Sequence, residues 1–137
     1  MTIKEFKIQL ALGMISNDEK LNIANTVTTS KRILTILSRD ENWLVRCCIA
    51  DNINTPKEIL VKLSKDKDSG VRYWVAGNKN TSTEVLVELS KDEDWLVRSY
   101  VASNINTPKK VLKKLSKDED MNVRYRAAHN KNYGKKL

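Results

Sequence analysis

The sequence predicts an all-α fold, a short solenoid of stacked two-helix repeats. Three observations predict it. A unit of 26 residues recurs four times in register, without an insertion, over residues 29–54, 55–80, 81–106 and 107–132. Each copy carries two helix-start signals, each followed by apolar residues at helical spacing. The composition, 40% hydrophobic and 31% charged with only four Gly and two Pro, suits helices with long solvated faces and not a sheet rich in tight turns.

In the second copy, Thr55-Pro56-Lys57-Glu58 reads as a capping box: Thr as N-cap, Pro at the first helical position, Glu three residues on. Thr81 and Glu84 repeat the pattern, and Thr107 keeps the cap with Lys110 in the Glu slot. Ile59, Leu60 and Leu63 then form the buried stripe of the first helix. The second helix starts at Asp66-x-Asp68, where an Asp favours the positive end of the helix dipole. Val71, Val75 and Ala76 bury it, and Asn78 is expected to end it in the left-handed conformation. Helices of two to three turns are not stable alone, so neighbouring repeats must supply the stability.

Residues 1–28 form a worn copy that caps the N-terminal end. Ile23-Ala24 falls in register with Ile49-Ala50, Phe6 to Leu12 can form a first helix, and Glu19-Lys20 stands where the other copies have Val-Arg. Residues 133–137 form a short tail expected to fray. The whole chain, 1–137, reads as one repeat domain. A second period overlies the first, because residues 43–68 and 95–120 share WLVR, NINTPK and LSKD. A two-repeat block has been duplicated.

The pattern TP-x-E-ϕ-L-x-x-L-x-x-D-x-x-x-VR-x-x-ϕ-A-x-N resembles the leucine-rich repeat variant family and, more broadly, HEAT-like α-solenoids. The resemblance covers residues 29–132 fully and 1–28 weakly. It implies a right-handed stack of helix pairs, with second helices on the concave side. It also implies that an Asp before the second helix bridges an Arg within the second helix of a neighbouring repeat. Asp40, Asp66, Asp92 and Asp118 match that Asp, and Arg46, Arg72, Arg98 and Arg124 match that Arg. These eight residues are therefore expected to form an internal structural ladder. The N-terminal cysteine cluster of some leucine-rich repeat variant proteins is absent. In that family the second helix can be 3₁₀; a mostly α helix is expected here.

Positions equivalent to 44, 47, 48 and 51 diverge between copies and share one helix face. They bring Tyr73, Trp74, Tyr100, Tyr125, Arg126 and His129 to a candidate binding groove, and Trp, Tyr and Arg are the side chains enriched at binding hot spots. The competing expectation is lateral packing on the next repeat, which is also the reading for Trp43 and Trp95. Charge is uneven. Residues 107–137 carry ten Lys and Arg against three Asp and Glu, a net of +7, of the +8 of the whole chain. Lys109, Lys110, Lys113, Lys114 and Lys117 form a candidate basic patch on one helix.

No catalytic set can be assembled. There is one His, the two cysteines are adjacent, and no phosphate-cradling Gly-rich loop occurs. Cys47 and Cys48 cannot pair with each other and fit a reducing compartment. The N-terminal apolar run is too short to span a bilayer, and Glu5 does not suit a signal peptide. The usage of Lys, Asn and Ile fits an AT-rich bacterial genome. The expectation is a cytoplasmic, monomeric, non-enzymatic scaffold, without cofactor, metal or membrane partner, that binds a protein or peptide through its concave face. The alternative is nucleic-acid binding, resembling HEAT-like alkylated-base DNA glycosylases. A positive groove continuous from Arg126 back through Trp74 would favour nucleic acid; a neutral aromatic groove would favour peptide.

Overall fold

A computed structural model describes residues 1–134, and they form ten α-helices and no strand. The first helices of successive units are α1 (Ile3–Ala11), α3 (Lys31–Leu37), α5 (Lys57–Leu63), α7 (Thr83–Leu89) and α9 (Lys109–Leu115). The second helices are α2 (Asn17–Asn25), α4 (Trp43–Asp51), α6 (Ser69–Gly77), α8 (Trp95–Ser103) and α10 (Met121–His129). All five second helices are α. The predicted tail lies in part outside the described residues; Tyr133, its first residue, packs on the core and donates its N–H to the Asn130 carbonyl at 2.9 Å.

Second helices pack directly on one another in the order α2, α4, α6, α8, α10. First helices touch the second helices beside them and stand farther from each other, which leaves clefts between α5 and α7 and between α7 and α9. One apolar core runs the length of the stack. Leu34, Leu60, Leu86 and Leu112 fill it from the first helices, and Val45, Val71, Val97 and Val123 from the second. Each residue in either set is 26 places from the last, so burial repeats with the sequence.

Polar ladders set the spacing of the repeats. The Arg46 guanidinium grips Asp66 of the next unit with two bonds, Nε to Oδ2 at 2.7 Å and Nη2 to Oδ1 at 3.0 Å. Its Nη1 donates to the Asp40 and Glu41 carbonyls of its own inter-helix loop, both at 3.0 Å. Arg72 repeats this with Asp92, and Arg98 with Asp118. Planar, two-bonded Arg–carboxylate geometry fixes orientation as well as charge. Asp40 is held by Lys20 at 2.9 Å, so the worn N-terminal unit closes the ladder with Lys in the Arg slot. Arg124 is exposed, and its Nη1 donates to the Asp118 and Glu119 carbonyls.

Three sequence-based assignments need correction, and one physical reason covers them. Thr55 does not cap α5. Its hydroxyl donates to the Ile49 carbonyl at 2.6 Å, as Thr81 does to Val75 and Thr107 to Val101. Pro56 and Pro108 take the N-cap place without a side-chain bond, and Ser82 caps α7. Asn78 is not left-handed but extended, at φ −69° and ψ 129°. Its Nδ2 reaches back to the Ala50 carbonyl at 2.7 Å and the Asn52 carbonyl at 3.2 Å. Asn52, Asn104 and Asn130 do the same in the other units. Asp66 is not the cap of α6 but binds Arg46 and the Asp68 N–H. Asp68, at the N-cap, turns its carboxylate to Arg46 at 2.6 Å and makes no cap bond. In each case the carbonyls or charges at a helix end are buried by the adjoining helix or repeat, where only a side chain can satisfy them. At these positions the side chains are used across the junction instead, whereas Asn42, Asp94 and Asp120 do cap α4, α8 and α10. Full capping boxes occur in the N-terminal unit, at Thr2/Glu5 and Ser16/Glu19.

Burial works to raise the Asp66 and Asp118 carboxyls, but the bonds from Arg46 and Arg98 and from the backbone N–H groups outweigh it and hold both below their ordinary 3.8. The unfolded chain therefore takes up protons that the folded chain refuses. Stability from these pairs is complete above about pH 5 and is lost as pH falls through 4 and below. Urea midpoints measured from pH 7 to pH 3 will fall most steeply below pH 4, and Asp66→Asn will flatten part of that fall. Arg72→Ala leaves the Asp92 carboxylate without its fork and will destabilise by about 3 kcal/mol, as for a broken part-buried pair. Arg124→Ala will cost under about 1 kcal/mol, because Arg124 is exposed and bonded to loop carbonyls alone. Equal losses in urea denaturation would refute this assignment of the ladder.

Candidate functional site

The copies diverge along one face of the second helices, at slots that are at least partly exposed except for Cys47 and Ser99, which are buried. In α6, Tyr73 and Trp74 follow Arg72, about 100° and 200° around the helix from it. Their rings lie 5.1 Å apart, and Tyr100 of α8 completes a cluster at 4.9 Å from Tyr73 and 6.0 Å from Trp74, edge-on to the indole. Such tilted contacts are the favoured aromatic geometry. Tyr100 lies over Gly77, where an added Cβ would approach its ring to 2.8 Å. All three rings are half-buried: they pack laterally and also face solvent.

Arg126 of α10 extends the cluster. Its guanidinium carbon stands 5.6 Å from the centre of the Tyr100 ring, and Nη1 donates to Ser103 Oγ at 3.0 Å. Tyr125 and His129 form a separate exposed pair, stacked at 4.0 Å between ring centres, with His129 Nδ1 2.8 Å from the Tyr125 carbonyl oxygen. Four of the six predicted groove residues are thus one contiguous group, and two form a pair of their own on α10. Trp43 packs on Gly70 of the next unit, as its packing role anticipates, although its indole remains about half exposed.

Between Cys48 and Arg126, the divergent slots hold Asp51, Gly70, Tyr73, Trp74, Gly77, Leu96, Ser99, Tyr100, Ser103, Asn122 and Tyr125, with no Lys or Arg. The strip is therefore uncharged across its aromatic centre. The predicted basic patch lies elsewhere. Lys110, Lys113, Lys114 and Lys117 are exposed on or just after α9, a first helix; Lys109 is half-buried. Lys110 and Lys114 line the α7–α9 cleft with Lys91. The aromatic cluster and these lysines belong to different layers of the stack.

A hollow of about 330 Å³ was missed from sequence. Leu21 and Asn25 of α2, Leu44, Cys47, Cys48 and Asp51 of α4 and Trp74 of α6 line it. Leu21 and Asn25 stand 26 residues before Cys47 and Asp51, so carrying the divergent slots back into the worn copy would have found it. Burial pushes the Cys47 thiol up to about 11, and burial also raises Cys48, which is hydrogen-bonded to Asn25. Burial likewise raises the Asp51 carboxyl, and among the described residues no Lys or Arg pairs with it.

Among the described residues, no cluster of three or more His, Cys, Asp or Glu could hold a metal ion. No helix among them is long and apolar enough to cross a membrane. In comparisons with protein-family models, curated proteins and solved structures, no family model, relative or solved structure matches the chain.

The thiols provide a direct check of this environment. With both pKa values raised, the thiolate fraction at neutral pH is small, and thiolate is the reacting form. Native protein at pH 7.5 will react with a disulfide reagent at least about tenfold more slowly than free cysteine, and unfolding in urea will restore the ordinary rate. A fast native reaction would contradict the burial described for this hollow.

Proposed function

We propose that the chain is a non-catalytic repeat scaffold, a right-handed HEAT-like solenoid whose second helices line a concave face that binds a protein or peptide partner. The observation that carries the reading is the uncharged aromatic strip. Tyr73, Trp74 and Tyr100 are neighbours, half-buried and flanked by Arg126, with no cation between them and Cys48. Rigid amphipathic rings and one stacked guanidinium give large contact area at low entropic cost, which is the make-up of protein-recognition hot spots. The repeat supports it physically: each ring stands on a helix fixed by a buried Arg–Asp fork, so the surface is preorganised.

Nucleic-acid binding, the second reading, has less support. It calls for cations that track a phosphate backbone alongside the stacking rings. Here the lysines of the last unit and the aromatics occupy different layers. A pull-down from bacterial lysate with and without nuclease separates the readings. Capture by the wild type will survive nuclease, and Trp74→Ala combined with Arg126→Ala will abolish it while far-UV helicity is kept. Loss of every partner on nuclease treatment, or full capture by the double variant, would overturn the proposal.

A further inference from the structure

The two ends of the second-helix strip differ in charge. At the α4 end lies the hollow, with apolar walls from Leu21, Leu44 and Cys48 and an aromatic wall from Trp74. Its one charged lining residue is Asp51. That carboxylate is partly desolvated and, among the described residues, has no cationic partner. Every ladder carboxylate, by contrast, is matched: Asp40 by Lys20, Asp66 by Arg46, Asp92 by Arg72, Asp118 by Arg98. An apolar channel with an aromatic face and one unmatched carboxylate suits an alkyl-ammonium side chain. Its methylenes would lie along Leu21 and Leu44, and its ammonium would meet Asp51 beside Trp74.

At the α10 end, Arg126 spends one guanidinium nitrogen on Ser103 and stacks on Tyr100. A guanidinium has five N–H donors in a planar fork, so Arg126 retains donors for a carboxylate. Between the two ends, the strip is uncharged and aromatic.

We propose that the strip reads a peptide by its charge polarity: a lysine side chain enters the hollow at Asp51, and an Asp or Glu side chain meets Arg126. This rests on the peptide-binding reading above and names the partner's chemistry. Three helix spacings of about 8–10 Å separate α4 from α10. An extended chain covers that span with about eight residues at roughly 3.3 Å each.

The test is a positional library of octapeptides, acetylated and amidated so that the termini carry no charge, selected on the immobilised full chain. The wild type will enrich Lys at one end position and Asp or Glu at the other, each at least threefold over background. Asp51→Lys will switch the Lys position to Asp or Glu and leave the other end unchanged; Arg126→Glu will do the reverse. Both sites are exposed, and far-UV circular dichroism confirms folding. Asp51→Asn and Arg126→Gln, milder changes, will erase each preference without inverting it. Enrichment of apolar or aromatic residues with no charge preference would overturn this proposal and leave the peptide-binding reading standing. Charge preferences that do not respond to the variants would also overturn it. No enrichment of any kind would overturn both.

Discussion

The two-bonded contact that Arg46, Arg72 and Arg98 each make with the aspartate twenty residues ahead is the constraint on which the rest of this structure depends. A helix of nine residues has no persistence of its own, and two of them stacked through valine and alanine could slide or rotate. The Arg46–Asp66 fork removes that freedom. It has a plane, two distances and, through Nη1, a hold on its own loop carbonyls. One guanidinium therefore ties a helix to its own loop and to the loop of the next unit. Repetition at Arg72 and Arg98 makes the second helices a single stacked series.

The asparagine and threonine ladders do complementary work. A helix end leaves carbonyls unbonded, and a stacked repeat buries them from water. Thr55 satisfies the Ile49 carbonyl of the unit before it, and Asn78, near the end of that same later unit, satisfies Ala50 and Asn52. Asn54, Asn80, Asn106 and Asn132 add a third row, each donating to a backbone carbonyl of the unit before. So many positions are committed to these rows that few remain free to vary, and those few lie on one face of each second helix. The divergent strip is what the ladders leave over.

That division explains what was legible in the sequence. The register, the helix pairs and the Arg and Asp slots could be read because each recurs every 26 residues. The aromatic group could be read because divergence against a fixed background marks its positions. Thr55 and Asn78 were assigned the right helix junction but the wrong bond. Local rules describe a helix end in water, whereas these ends are covered by the next helix or repeat, and the nonlocal acceptor prevails. The hollow was not legible because its walls come from three units, one of them worn, and Leu21 and Asn25 carry no motif. Tyr125 and His129 occupy the same slots as Tyr73 and Gly77, yet they remain exposed and pair with each other.

The two layers of the stack divide charge as well as packing. Cations of the last unit collect on α9, whereas the strip carries its single negative and positive residues at opposite ends. A layer of like charge attracts any polyanion, with strength that depends on salt and little on order. Isolated opposite charges set on a rigid neutral surface behave differently. Each is distinguished from its surroundings, their separation is fixed by the forks beneath, and a mismatched partner would leave one charge desolvated without a counterpart. In the proposed reading, the selectivity of the strip derives from the same arginine–aspartate contacts that hold the helices in register, because they fix how far apart Asp51 and Arg126 stand.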